Sequence, residues 1–334
     1  MKVVVLFPSG CAAGYARLQE ASHQVVYGRN AGDGRPFAEG ELAELCRDAD
    51  GVVTASLSGA VMAQATRLRA VIAPIIGIER VDLQAATRLA ILACNSPAPE
   101  NFKGVAASTV GYIFMLGHRQ KHKEALLRAG RWGAEAARGQ LLVGKSVGFV
   151  GLGRTASETA RRLRGWEMRL LAYDPYVSLE IVALLGVELV ESLETLLEEA
   201  DYVSLHLVVT AETRHMIGER ELRRMKPTAY LINTSRGEVL DEAAFCRAIN
   251  EGWIASGALD VYQQEPLPLD SPLRDLDPSK VILTPHNISH SPASAAGGRR
   301  LAVDSMLKAF AGEVPEYVMN PEVIPAWKRR FARA

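Results

Sequence analysis

Two α/β domains, each built on a doubly wound parallel sheet, are what this sequence predicts, and three observations predict them. Short β-branched runs alternate with helix-spaced runs along most of the chain, the rhythm of strands covered on both faces. That rhythm breaks at Pro97-Ala98-Pro99 and restarts after Lys145. A length of 334 residues, at roughly 150 per domain, allows two separate cores.

In the first hundred residues, Val3 to Phe7, Gln24 to Tyr27, Gly51 to Thr54, Ala70 to Ala73 and Ile91 to Ala93 read as strands. Glu39 to Ala49, Ser58 to Leu68 and Asp82 to Leu89 carry helix spacing between them. A long apolar-periodic helix is expected from Glu100 to about His118, and the basic run His118 to Lys123 reads as its solvated end. Six stronger strands follow: Val147 to Val150, Leu170 to Tyr173, Tyr202 to Leu205, Ala229 to Asn233, Ala255 to Leu259 and Val281 to Thr284. A closing helix spans about Pro292 to Ala311, after which Pro315, Pro321 and Pro325 are expected to stop further helix.

Composition narrows the function. Lys plus Arg number 38 and Asp plus Glu number 38, so no global charge draws the chain to nucleic acid or anionic lipid. The longest apolar run, near Ala70 to Ile78, is interrupted by Pro74 and falls short of the roughly 18 residues a membrane helix needs. Cys11, Cys46, Cys94 and Cys246 form no CxxC pair and no zinc spacing. With no signal-peptide pattern at the N-terminus, a reduced, cytoplasmic protein is expected. His286 and His290 lie four apart but between Pro285 and Pro292, so no metal site is expected.

The chemistry concentrates after Lys145. The strand ending at Val150 runs into Gly151-Leu152-Gly153-Arg154-Thr155-Ala156 and then a helix. Gly151 allows the tight turn, Gly153 lets backbone approach a pyrophosphate, and Ala156 lets helix and strand pack closely. By itself the hexamer could be a plain βα turn. Asp174 ends the next strand, 21 positions beyond Gly153, where a carboxylate accepts hydrogen bonds from ribose hydroxyls and repels a 2′-phosphate. That pairing points to NAD. Three further strand ends are polar: Asn233 to Gly237, Asp260 to Pro266 and Thr284 to Asn287. Ligands bind beyond the carboxyl ends of strands in open α/β sheets, so these loops can converge. Arg236, Glu265 and His286 suit 2-hydroxy acid chemistry: an Arg fork for a carboxylate, a His to pass the proton, a Glu to orient it and favour its protonated form.

At this point the chain resembles the NAD-dependent D-isomer-specific 2-hydroxy-acid dehydrogenase family, over roughly residues 45 to 320. The resemblance rests on Val150-Gly151-Leu152-Gly153-Arg154, Tyr173-Asp174-Pro175, Ser204-Leu205-His206-Leu207, Glu212-Thr213-Arg214-His215, Ile232-Asn233-Thr234-Ser235-Arg236-Gly237, Leu259-Asp260-Val261 and Thr284-Pro285-His286, in order and spacing. It implies an NAD-dependent oxidoreductase interconverting a small D-2-hydroxy acid and its 2-oxo acid, with Arg236, Glu265 and His286 catalytic. It also implies cofactor contacts at Gly151, Gly153, Arg154, Thr155, Asp174, His206, Thr213, Thr234, Asp260 and Thr109, and substrate contacts at Ile76, Gly77, Arg236 and His286. Two domains, Rossmann-like and flavodoxin-like, are expected: a discontinuous substrate domain of 1–99 plus 290–334, and an NAD domain of 100–289. The apolar face of Glu100 to Leu116, with Phe102, Ile113, Phe114 and Met115, exceeds what one small domain needs to bury, and the resemblance implies a two-fold homodimer through this region.

The sequence departs from the family pattern at three places. Ile75-Ile76-Gly77-Ile78-Glu79 stands where a Gly-x-Gly-x-Asp loop is usual, Ala107 replaces a Glu, and Val208 replaces a Pro. The residues after the closing helix are too few for the C-terminal regulatory domain of many phosphoglycerate dehydrogenases, which favours another substrate. Two alternatives stay open on sequence alone: an NAD-sensing, non-enzymatic scaffold like the co-repressors of this fold, and a variant that oxidises formate or phosphite.

Overall fold

Alternation at period two sets the faces of both sheets. The computed structural model describes residues 1–6, 12–28, 37–133 and 137–331; Phe7, at the end of the first expected strand, and Cys11 lie outside them. The chain divides into two units, Met1–Asn101 with His290–Ala334, and Phe102–Ser289, the first boundary falling inside the helix Pro99–Gly117.

In the first unit the strands are β1 (Lys2–Val5), β2 (Gln24–Tyr27), β3 (Gly51–Val53), β4 (Ser56–Leu57), β5 (Ala70–Ile72), β6 (Arg80–Val81) and β7 (Leu92–Cys94). Five of them form a parallel sheet in the order β2-β1-β3-β5-β7, the flavodoxin-like winding. Val4, Val52, Val71 and Ala93 face one core with the helices Glu39–Cys46, Gly59–Gln64 and Leu83–Arg88. Val3, Val5, Val53, Ile72 and Leu92 face the other, against Ala302, Val303 and Met306 of the helix Pro292–Phe310 and the wholly buried Trp327.

Two details differ from expectation. β4 and β6 pair as a separate two-residue ladder, too short for any periodic signal. Helix also continues past the prolines, over Ile324–Phe331. Pro325 sits in its first turn, where the missing N–H has no intrahelical partner to lose, so proline is tolerated there. Trp327 then anchors the helix, its Nε1 donating to Arg69 O at 2.9 Å.

The second unit holds β8 (Ser146–Val150), β9 (Arg169–Tyr173), β10 (Glu188–Leu189), β11 (Tyr202–Leu205), β12 (Tyr230–Asn233), β13 (Ser256–Leu259) and β14 (Val281–Leu283). All pair in parallel, in the order β10-β9-β8-β11-β12-β13-β14. Seven strands stand where six were expected, because the two-residue β10 left no pattern to read. Counted from β8, this is the 3-2-1-4-5-6 Rossmann winding with one strand added, and β8 and β11 flank its switch point. The basic run after residue 117 is also not a simple solvated end. Arg119 turns the chain at φ 51°, a second helix starts at Gln120, and the Lys121 ammonium donates to Val281 O at 2.7 Å. Among the described residues, no helix is long and apolar enough to cross a membrane.

Candidate active site

Register gathers the site. Val150 pairs with Tyr173 and Leu205, Leu205 with Asn233, Asn233 with Leu259 and Leu259 with Leu283, so these strand ends form one row. The next residue along each strand is therefore at the same edge: Asp174, Gly151, His206, Thr234, Asp260 and Thr284. A slip of one residue in any strand would turn its last side chains to the other face.

Gly151 has φ +86°, and a Cβ there would stand 2.7 Å from His206 O, so both conformation and space exclude a side chain. Gly153 is exposed, with nothing within 4 Å of where its Cβ would be, and no side chain caps the helix Arg154–Leu163 that it opens. Uncapped N–H groups at the positive end of a helix dipole, with open space before them, fit a pyrophosphate. Ala156 is fully buried against the sheet, Thr155 precedes it on the first turn, and the Arg154 guanidinium lies 5.6 Å from the Phe102 ring centre. Asp174 accepts the Leu152 N–H at 2.8 Å and the Tyr176 N–H at 2.9 Å, which fixes its carboxylate beside the glycine turn. The donor set thus matches a dinucleotide whose ribose meets a carboxylate.

Asn233 shapes the next loop. Its Oδ1 accepts from the Ser235 N–H and hydroxyl, and its Nδ2 donates to Arg236 O at 2.9 Å. Arg236 Nη1 donates to Ser235 O at 2.8 Å. The following Gly237 is a second obligatory glycine, because a Cβ would fall 1.9 Å from the Tyr262 carbonyl carbon. That close approach presses the Arg236 loop onto the loop that carries Glu265.

Glu265 accepts from the Tyr262 N–H at 3.1 Å through one oxygen and lies 2.8 Å from His286 Nδ1 through the other. His286 holds a left-handed φ of 52°, rare for a non-glycine residue, with half its side chain exposed. The hydrogen bond to Glu265 raises the His286 pKa above 6.5, against opposing desolvation; the charges of Glu265 and Asp260 add to the rise and Arg236 subtracts from it. Three charged strand-end groups therefore act on one imidazole. Asp260 is 3 % exposed, and its burial raises its pKa although Thr284 Oγ1 donates to it at 2.6 Å and the Asn287 N–H at 3.0 Å.

The remaining expected residues distribute as follows. Thr109 and Thr234 meet hydroxyl to hydroxyl at 3.2 Å. His206 Nε2 lies 2.9 Å from Ser204 Oγ, and desolvation pushes its pKa far down, so the ring is neutral at pH 7. Thr213 stands apart in a turn of its own, donating to Val208 O at 2.6 Å. Ile76 and Gly77 belong to the first unit, where Asn95 Nδ2 donates to Ile76 O at 2.9 Å.

Two participants escaped the sequence reading. Tyr112 reaches Thr284 Oγ1 at 2.7 Å, extending the Asp260 network; its place one turn after Thr109 on the same helix was the available signal. Glu242 accepts the Gln263 N–H at 2.6 Å and so braces the Glu265 loop; desolvation raises its pKa. It follows Asp241, whose role as helix cap is all that the local pattern suggests.

Comparison with known proteins finds relatives that match most of the chain. A family model for the NAD binding domain of D-isomer specific 2-hydroxyacid dehydrogenases matches residues 110–287. A glyoxylate reductase of Korarchaeum cryptofilum is 37% identical over 303 residues, covering 87% of this chain and 89% of that one. Another of that description, from Thermofilum pendens, is 36% identical over 318 residues, covering 93% and 92%. Among solved structures, a protein from Thermus thermophilus superposes with a TM-score of 0.85 at 29% identity, covering 96% of this chain and 100% of that one.

Proposed function

The chain belongs to the D-isomer-specific 2-hydroxyacid dehydrogenase family, and from that premise we propose that its preferred substrate is a 2-oxo acid of glyoxylate size, protonated by His286 as it is reduced. The protein is an NAD-dependent oxidoreductase that interconverts a 2-hydroxy acid and its 2-oxo acid. When bound, NADH supplies the hydride taken up at the oxo carbon. Gly151, Gly153, Arg154 and Thr155 would hold the pyrophosphate, Asp174 the ribose, and Thr109, His206, Thr234 and Asp260 the remainder of the cofactor.

The observation that carries the reading is the 2.8 Å contact between Glu265 and His286 Nδ1, on loops adjacent to Arg236. With Nδ1 bound to the carboxylate, Nε2 is the ring nitrogen left to give its proton to the carbonyl oxygen as that becomes the hydroxyl. Arg236 grips the substrate carboxylate through its fork. In the first unit, Ile76 and Gly77 take the substrate-recognition role, while Ile78 is buried in that unit's own core and Ile75 packs against it. The glyoxylate reductases named above support a small substrate. NADH oxidation against glyoxylate, hydroxypyruvate, pyruvate and 2-oxoglutarate tests this: glyoxylate should give the highest kcat/KM, and negligible oxidation with every oxo acid would overturn the reading.

We further infer a homodimer. Leu127, Trp132, Leu141 and Val143 expose 60, 89, 70 and 47 % of their surface along one stretch of the second unit, and Phe114 on the preceding helix 40 %. Several exposed apolar side chains close together in sequence fit an association surface, although Tyr176, Leu179 and Leu184 form a second such stretch. Ile113, expected on that face, is instead buried in its own unit. Sedimentation at micromolar concentration should give twice the 36.2 kDa chain mass, and a monomer would contradict it. A reducing, cytoplasmic setting is supported by Cys46, Cys94 and Cys246, all buried free thiols.

A further inference from the structure

Two carboxyl groups, not one, grip the loop that carries Glu265. The Tyr262 N–H donates to Glu265 at 3.1 Å, and the very next amide, the Gln263 N–H, donates to Glu242 at 2.6 Å. Glu242 is the first residue of the helix Glu242–Glu251, where a carboxylate ordinarily serves the free N–H groups of its own helix. That duty is already taken by Asp241, which accepts the Ala244 N–H at 3.0 Å. The Glu242 carboxyl reaches instead to a loop 21 positions on.

Both ends of this contact are anchored. Leu240 forms a bridge with Ile217, and the Asp241 N–H donates to Ile217 O at 2.9 Å, so the start of the helix is fixed. On the loop, the Gln263 side-chain amide donates to Leu240 O at 2.9 Å, which settles which end of that amide is nitrogen. The same nitrogen lies 2.8 Å from His215 Nε2, which accepts its second proton as a neutral ring. The Gln263 residue is therefore pinned through its main chain and its side chain, and Glu265, two residues on, inherits its place.

Charge matters as well as position. The ionisable groups that face Glu242 are Glu265 across the loop, Glu238 and Asp241 on its own segment, and Cys246 one turn along its helix, with Tyr262 within reach of its charge. Desolvation, and after it the charges of Glu265, Asp241 and Glu238, raise the Glu242 pKa against the Gln263 hydrogen bond. Such coupling is reciprocal, so a charged Glu242 also makes Glu265 harder to ionise.

We propose that Glu242 is a positioning residue for the Glu265 and His286 pair: its carboxyl holds the Gln263 amide, and its charge sets how far into acid Glu265 stays ionised beside His286. The inference rests on the proposed role of His286 as proton donor. Glu265 favours protonated His286 only while it is itself a carboxylate. Glu242 thus braces the loop and at the same time limits the pair from its acid side, acting through Gln263 and Glu265 rather than on the substrate.

Carbon-13 NMR of the NAD-saturated protein, labelled at glutamate Cδ, follows the Glu265 carboxyl, whose resonance is assigned by its loss in Glu265→Gln. Glu242→Gln keeps an oxygen for the Gln263 N–H and removes the charge, so the Glu265 titration should move to lower pH by about half a unit or more, and the acid limb of kcat/KM for oxo-acid reduction with it. Glu242→Ala also removes the acceptor; it should lower kcat about tenfold and shift the alkaline limb, set by His286, to lower pH. A merely structural role would lower the denaturant midpoint of Glu242→Ala and leave the Glu265 titration of Glu242→Gln in place. A Glu265 titration unmoved in Glu242→Gln, or a wild-type alkaline limb in Glu242→Ala, overturns the proposal. Should Glu242→Ala not fold, the Glu242→Gln titration decides alone. Failure of the His286 reading shows separately, as an alkaline limb indifferent to Glu265→Gln or as no turnover at all, and the NMR titration still decides what Glu242 does to Glu265.

Discussion

Both sheets are parallel, doubly wound and covered on two faces, yet their carboxyl ends carry different chemistry. In the second unit the row beyond the strands reads Asp174, Gly151, His206, Thr234, Asp260 and Thr284, with Arg236, Glu265 and His286 in the same loops. In the first unit β3, β5 and β7 lead into Thr54, Ala73 and Asn95, and the first charged side chains after β5 are Glu79 and Arg80. Thr54 and Asn95 are buried and bond to backbone carbonyls, Ser56 O and Ile76 O, so their polarity is spent on holding loops. One architecture therefore serves two purposes, and the difference lies in the few residues after each strand rather than in the strands themselves.

The largest effect expected from breaking this contrast is at His286. His286→Ala should lower kcat for oxo-acid reduction by roughly 10² to 10⁴ while NADH affinity stays near normal, which steady-state kinetics and fluorescence titration would measure. Next comes a pair of glycines, one in each unit. Gly237→Ala forces a methyl group into the Tyr262 backbone and should cost about 3 kcal/mol of stability. Gly40→Ala, on the exposed helix Glu39–Cys46 with nothing within 4 Å, should instead stabilise by about 0.5–1 kcal/mol. Denaturant midpoints separate the two; equal shifts would mean that the Arg236 and Glu265 loops are less tightly apposed than described. The smallest expected change is at Asp174, where Ala should narrow the preference for NAD over NADP by about tenfold, read from the two KM values.

Much of this contrast could be read from the chain. The glycine turn, Asp174 and the polar strand ends were legible because each is local: an apolar strand followed at once by glycine or polar residues. The two-residue strands β4, β6 and β10 were not, since two residues carry no period. Pro325 misled because a proline's effect depends on whether it enters a helix at the first turn or in the middle. Tyr112 and Glu242 went unread for a different reason. Their partners, Thr284 and Gln263, lie 172 and 21 positions away, and only the register of the sheet and the folding back of two loops bring them into contact.

The pH dependence of oxo-acid reduction tests the central claim most directly. Protonated His286 is the form that donates, so kcat/KM for reduction should fall as pH rises through a pKa lifted above 6.5 by the Glu265 hydrogen bond. Glu265→Gln keeps the shape and removes the charge, and its alkaline limb should move to lower pH, with oxidation of the hydroxy acid gaining at the same pH. An alkaline limb in the same place for both proteins would show that the Glu265 and His286 pair does not govern proton transfer.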